Sequence, residues 1–334
     1  MNRFFKSLII VISIPIITLI FLEIGVRLWG YSKQYIYDPI YTPFDKTEDI
    51  PFIHKPNLVN ARGRGCVIFN TDNLGLRSKN AGTTYLKKKE NEYRIIIVGN
   101  SITFGNGVKR TEDTFVQVLA DVLNQLQSDV KVQAFNYGVG AYSVKEMVAT
   151  LQYRMLDVEP DLVIMAIIPG DFDLSRTGTV DKWGYTTNVK LSGFMSRDSI
   201  IKYLLRKLHL TYLLRDLRYR WSKEDQITQK RFLENKLPSS YSYVKQFKEI
   251  TEQHKLPHIL VILPSETTHM MSLSEQLTRD EITFVDLSSM INEFTSVQFR
   301  ASKFDAHPSA LVHKRIGEVL AEYILHEQLK PKSF

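Results

Sequence analysis

The chain has 334 residues, enough for one large domain with appendages or two small ones. Hydrophobic residues make up 44% and charged residues 24%, the proportions of a globular protein with a sizeable core. The net charge of +7 comes without an aromatic-interleaved basic motif, which argues against nucleic acid as a partner. The single cysteine, Cys66, excludes an intramolecular disulfide and a cysteine-based metal cluster.

Ser7 to Leu22 is an apolar run interrupted by Ser13, Pro15 and Thr18. Continued through Ile24, Val26, Leu28 and Trp29, it reaches roughly the 20 residues that a spanning helix needs. Glu23 and Arg27 stand four apart and can pair on one helix face. Trp29 and Tyr31 suit an interfacial aromatic belt. Arg3 and Lys6 precede the run, which places the amino end inside and the rest of the chain outside. A cleaved signal peptide is the competing reading. The run is long for that role and no small-x-small site follows Leu22, so an uncleaved anchor over residues 1–30 is expected.

Residues 31–92 form a polar, aromatic lead-in with turn signals at Pro39, Pro43, Pro51 and Pro56. A short strand is expected at Cys66–Phe69, with a turn over Asn70–Gly75. Cys66 has no activating neighbour in the sequence and reads as structural. Lys87, Lys88 and Lys89 read as a solvated loop.

The next stretch, RIIIVGNSITFGNGV from Arg94 to Val108, is the most informative. Ile95 to Val98 reads as a buried strand of the parallel-sheet kind. Gly99 ends it, which leaves Ser101 at the carboxyl edge, where open α/β sheets hold their ligands. A helix follows from Phe115. Strand patterns recur at Val130–Asn136, Asp161–Ile168, His258–Leu263 and Thr283–Leu287. Helical patterns separate them near Val144–Leu156 and Tyr241–His254, which predicts βαβ units around a parallel sheet.

Residues 172–240 break that rhythm and read as an insertion or cap. Within them, Trp183–Phe194 is irregular or strand-like. Arg197–Trp221 is helical and basic, with Lys202, Arg206, Lys207, Arg215, Arg218 and Arg220, and has a break near His209–Thr211. It fits a packed helix pair with a solvated basic face, which is the expectation, or a segment resting on a membrane surface. A loop over Lys303–Ser309 carries Asp305 and His307 ahead of a closing helix, Ala310–Leu329.

A serine after the first sheet strand and an Asp-x-His-Pro loop before the last helix form a candidate triad. Ser101 is the nucleophile, His307 the base that takes its proton, and Asp305 the carboxylate that orients the base. The other histidines lack such a pattern, and His313 reads as structural.

In these blocks the chain resembles the SGNH (GDSL-type) hydrolases, specifically their single-pass membrane-anchored members. The family's Gly-Asp-Ser block stands here as Gly99-Asn100-Ser101, with Ile102-Thr103-Phe104-Gly105-Asn106-Gly107-Val108 after it. The second block stands as Asn136-Tyr137-Gly138-Val139-Gly140-Ala141-Tyr142, and the last as Asp305-Ala306-His307-Pro308. Asn70–Arg77 is similar to a strand-turn that anchored members carry upstream.

The resemblance implies an α/β fold, a three-layer α/β/α sandwich with a flavodoxin-like parallel sheet, over residues 93–330 with a helical insertion at about 172–240. It implies ester hydrolysis or acyl transfer, often of acetyl on a cell-surface glycan, with no metal or cofactor. It also implies an oxyanion site from the N–H groups of Ser101 and of Ala141 or Gly140, with Gly170 as a further backbone donor. The sequence departs from the family at four places. Asn100 stands for an aspartate and Ala141 for a glycine, and Gly170-Asp171 stands for Asn-Asp, which removes a side-chain amide. The Asp-x-x-His spacing of many members is shortened here to Asp305-x-His307. The loss of the third-block Asn and of the first-block Asp motivates one alternative, a non-catalytic member that binds glycan or a protein partner. A second alternative is a scaffold whose basic 197–221 segment docks on lipid or a membrane acyl donor.

Overall fold

The computed structural model describes residues 3–85, 87–126, 129–187, 198–221, 226–265 and 271–327. The chain opens with helix α1 (Arg3–Trp29), which runs through Pro15. Its Ile10–Trp29 stretch has a mean hydropathy of 2.2 and is left almost wholly uncovered by the rest of the chain. Among the described residues it is the helix long and apolar enough to cross a membrane.

Five short strands follow: β1 (Tyr41–Thr42), β2 (Ile53–His54), β3 (Ala61–Arg62), β4 (Ile68–Thr71) and β5 (Arg77–Ser78). β1 pairs with β2, and β3, β4 and β5 form a small antiparallel sheet. The strand expected at Cys66–Phe69 starts later, at Ile68. Gly65 and Cys66 both take left-handed backbone angles, φ 70° and 60°, which an extended strand cannot include. Cys66 is exposed.

The central elements then alternate: β6 (Glu92–Gly99), α2 (Ser101–Phe104), α3 (Phe115–Leu126), β7 (Lys131–Gly138), α4 (Val144–Arg154) and β8 (Leu162–Ile167). The insertion adds a hairpin of β9 (Thr179–Val180) and β10 (Thr186–Thr187), then helices α5 (Ile200–Leu205) and α6 (His209–Trp221). Residues 188–197, with Arg197 and much of the stretch read as irregular or strand-like, lie outside the described residues. Helix α7 (Gln226–Gln253) starts well before the expected Tyr241 and continues through Pro238. β11 (His258–Ile262), α8 (Met271–Arg279), β12 (Phe284–Asp286), α9 (Ser296–Phe299), β13 (Arg300–Ser302), β14 (Asp305–Pro308) and α10 (Ala310–His326) complete the chain.

The sheet runs β12-β11-β8-β6-β7 with every neighbouring pair parallel. This is the flavodoxin-like order, and its direction reverses between β6 and β8. Alternate residues of β6 serve opposite faces. Ile96 and Val98 join a core with Met147 and Leu151 of α4 and Val244 and Phe247 of α7. Ile95 and Ile97 join a second core with Phe115 and Leu119 of α3 and Val312 and Ile316 of α10. The three-layer α/β/α sandwich follows directly. Tyr37, Tyr41, Phe52 and Phe69 from the lead-in share the first of these cores.

The lead-in is also fastened to the serine turn. Asp72 Oδ1 accepts the N–H groups of Leu74 and Leu76, both at 2.8 Å, and so shapes the turn after β4. Arg77, buried beyond that turn, donates to the carbonyls of Phe104, Gly105 and Val108 at 3.1, 2.8 and 2.8 Å. Burial lowers its pKa to about 10, which leaves it charged at neutral pH. Arg77→Met leaves these carbonyls without their donor, and the expected cost is about 3 kcal/mol or more. A denaturant midpoint equal to that of the parent protein would show that the guanidinium is dispensable.

Candidate active site

Ser101 is the first residue of α2, directly beyond the β6 carboxyl end. Asn100 is extended and caps the helix, its Oδ1 accepting the Ile102 N–H at 2.8 Å. As the first helical residue, Ser101 has a backbone N–H with no intrahelical acceptor. Its side chain reaches the second triad candidate, with Oγ 2.9 Å from His307 Nε2. His307 Nδ1 lies 2.6 Å from Asp305 Oδ1, which also accepts the His307 backbone N–H at 3.1 Å.

The expected loop around these residues is a hairpin, with β14 antiparallel to β13. Residues two apart on a strand share a face. That is why the short Asp-x-His spacing brings carboxylate and imidazole together. Burial alone would raise the Asp305 pKa, but hydrogen bonding and attraction from His307 hold it below the ordinary carboxylate value.

Two glycines make room for this carboxylate. Gly107 has φ +83°, and a Cβ on it would lie 2.3 Å from Ala301 Cβ and 3.4 Å from Asp305 Oδ2. On Gly65 a Cβ would meet the same oxygen at 2.6 Å. The lead-in, the serine turn and the closing hairpin therefore converge on Asp305.

Ser101, Asp305 and His307 open into a cavity of about 480 Å³ shared with Gln34, Tyr35, Arg64, Ile168, Arg176 and Phe304. Gly140, Ala141 and Gly170 are not part of its lining. Gly140 borders Ser101 all the same, since a Cβ on it would lie 3.9 Å from Ser101 Cβ. Ala141 has φ 71°, a left-handed conformation that explains a family preference for glycine. Thr177 Oγ1 sits 3.0 Å from the Ala141 carbonyl oxygen and braces this turn.

The third departure is reorganised around Asp171, which is fully buried. Its Oδ2 accepts from Asn100 Nδ2 at 2.6 Å and from the Ile168 N–H at 2.9 Å, and its Oδ1 accepts from Arg176 Nη1 at 2.5 Å. A Cβ on Gly170 would lie 3.3 Å from that same Nη1. The Arg176 guanidinium thus fills the room left by the missing side chain at 170. Nothing in the sequence patterns marks Arg176, whose place depends on the room at Gly170, or the lining residues Gln34, Tyr35 and Arg64, which come from the distant lead-in.

His313 is buried on α10, where its Nδ1 accepts the Phe115 N–H at 3.1 Å and closes the start of α3. Among the described residues no group of three or more His, Cys, Asp or Glu is placed to hold a metal ion.

Burial raises the Asp171 pKa to about 6 against the pull of Arg176, Ile168 and Asn100. The folded chain therefore binds this proton more tightly than the unfolded chain. Stability from this group is present at low pH and is lost as pH rises through about 6. Asp171→Asn removes the titration. Between pH 4 and pH 7 the variant should gain on the parent by roughly 2 kcal/mol. Parallel stability–pH curves for the two proteins would contradict this.

No protein-family model and no curated protein sequence matches the chain. Solved structures do. A lipase/acylhydrolase from Enterococcus faecalis is 14% identical, with a TM-score of 0.39 over 72% of this chain and 100% of that one. A GDSL-like lipase from Bacteroides thetaiotaomicron is 12% identical, with a TM-score of 0.37 over 73% and 93%. A two-domain esterase active on acetylated mannans is 13% identical, with a TM-score of 0.42 over 74% of this chain and 53% of that one. In its sequence blocks, its strand order and the position of its serine, the chain is similar to the SGNH (GDSL-type) hydrolases.

Proposed function

We propose that the chain is a membrane-anchored serine esterase or O-acyltransferase whose body lies on the extracytoplasmic side. Its substrate class is an acyl ester, acetyl in the first instance, on a cell-surface glycan. The observation that carries the enzymatic reading is the continuous hydrogen-bond chain from Ser101 through His307 to Asp305, opening into a cavity at the sheet's carboxyl edge. A binding protein needs no such alignment. The anchor reading rests on the length and exposure of α1 and on Arg3 and Lys6 ahead of it. In this reading residues 1–30 anchor, residues 31–92 lead in, and residues 93–330 form the catalytic unit with its insertion.

The chemistry follows from the geometry. Ser101 Oγ attacks the ester carbonyl carbon while His307 Nε2 takes the hydroxyl proton, and Asp305 steadies the imidazolium that forms. The tetrahedral intermediate collapses, and the leaving alcohol takes the proton from His307. Water or a sugar hydroxyl then attacks the acyl-serine with His307 again acting as base, which frees Ser101 and yields the acid or the new ester. The oxyanion is held by the Ser101 N–H and by the N–H of Gly140 or Ala141, with the Gly170 backbone alongside. Arg176 supplies the side-chain donor in place of the absent amide, because its guanidinium already fills that room and lines the cavity with Ser101.

Ser101→Ala should abolish turnover of a chromogenic acetyl ester, and retained activity would refute the nucleophile assignment. Arg176→Ala should lower kcat by about 10² to 10³ with a small change in KM. Adding Gly170→Asn to that variant returns an amide to the vacated room and should recover part of the loss. An Arg176→Ala enzyme as fast as its parent would leave the oxyanion to backbone donors alone.

A further inference from the structure

The helices α5 and α6 carry a row of outward apolar side chains, and α5 buries its lysine. On α5, Lys202 is 8% exposed and lies against the Thr187 hydroxyl. Arg206, just beyond it, pairs with the buried Asp181. On the opposite side Ile200, Ile201, Leu204 and Leu208 face outward, Leu204 at 56% exposure. On α6, Leu214 and Leu217 face outward as well, Leu214 at 55%. A water-facing helix pair presents its charges and hides its leucines. Here Lys202 and Arg206 are turned into the protein while leucines and isoleucines stand outward beside the exposed Lys207, Arg215 and Arg218.

The position of this face says what covers it. Glu23 of α1 accepts the His209 and Leu210 N–H groups at 3.0 and 2.8 Å and so caps α6. Arg27 pairs with Glu23 at 2.6 Å and donates to the Lys207 carbonyl at 3.2 Å, at the end of α5. Tyr31 and Tyr35 both donate to Asp216 Oδ2 at 2.8 Å. The helix pair is thus stitched to the last two turns of the apolar helix and to the residues just after it. At a rise of roughly 1.5 Å per residue, Glu23 lies about 9 Å along the axis short of Trp29. The turn between α5 and α6 sits at that level. Exposed Lys207, Arg215 and Arg218 flank the leucines, the pattern of a helix lying among anionic headgroups.

We propose that α5 and α6 lie in the outer surface of the bilayer, with Ile200, Ile201, Leu204, Leu208, Leu214 and Leu217 among the lipid acyl chains. The insertion is then a second membrane contact, continuous with the anchor, and it fixes the orientation of the body on the membrane. Basic residues sit at the headgroup level and the inward polar face holds the platform to the body. It rests on the anchor reading of α1 and is independent of the enzymatic one.

The test uses the full chain in nanodiscs that contain anionic lipid, with Cys66→Ser as background. Single substitutions Leu204→Cys, Leu214→Cys, Ile16→Cys and Leu126→Cys each carry an environment-sensitive fluorophore. Leu126 is an exposed leucine at the far end of α3 and serves as the water-facing reference. Lipids bearing a nitroxide near the glycerol backbone should quench the labels at 204 and 214 by about twofold or more, a depth expected of an interfacial helix. The label at 126 should stay unquenched, and the label at 16 should respond to a deeper nitroxide. Labels at 204 and 214 that behave like the one at 126 would overturn the proposal. Labels shielded from aqueous iodide yet unquenched by lipid would also overturn it, in favour of a second copy of the chain. An unquenched label at 16 would remove the anchor reading and this platform with it.

Discussion

One buried carboxylate ties together the two strands between which the sheet order reverses. Asp171 sits beyond the end of β8, yet it is held by the Asn100 side chain beyond β6, by the Ile168 N–H and by Arg176. A carboxylate wholly removed from water is costly unless its lone pairs are filled. Here they are filled by donors from both sides of the switch point. The cap on α2 and the placement of Ser101 depend on this arrangement. The same Asn100 that binds Asp171 through its amide nitrogen accepts the Ile102 N–H through its oxygen. An aspartate at position 100 would set two carboxylates against each other at that distance. In this chain Asn100 meets Asp171 as a neutral donor.

Much of the fold was legible because its signals are local. The buried strands around Ile95, Val163 and Val261 are short continuous apolar runs, and the chain offers few other ways to hide them. The convergence of Ser101, His307 and Asp305 was legible for the same reason, since Asp305 and His307 lie two apart and Ser101 follows a strand and a glycine. Other features were not local. The start of α6 at His209 is fixed by Glu23, far away in the chain, so the break expected at His209–Thr211 falls at residues 206–208 instead. The helix expected from Tyr241 starts at Gln226, since α7 continues through Pro238, a residue that ordinarily ends or kinks a helix. Arg176 was missed because its role depends on empty space at Gly170, which no spacing rule records.

Helix α1 and the β13–β14 hairpin that carries His307 are not independent. The Trp29 ring stacks on Tyr31 with centroids 5.0 Å apart, and both meet Phe304 edge-on at 5.8 and 5.2 Å. Phe304 immediately precedes Asp305 and lines the cavity together with Gln34 and Tyr35. Residues 29 to 35 thus touch the catalytic hairpin on one side and the α6 carboxylate Asp216 on the other. Whatever sets the level of α1 also sets the level of His307.

That coupling limits the reach of the site. His307 is three residues beyond Phe304, at most about 10 Å of extended chain. Phe304 in turn is packed on the aromatic ring that ends the apolar helix. With α1 across a bilayer, the serine works close to the headgroups and cannot travel out to esters far from the membrane. A flexible juxtamembrane linker would release that constraint, but Tyr31, Ser32 and Gln34 are buried against the body. On the proposed reading α1 is therefore a positioning element for the reaction as well as a tether. On that reading, acyl groups are within reach only where their carrier, lipid-linked or polymeric, comes down to the membrane surface.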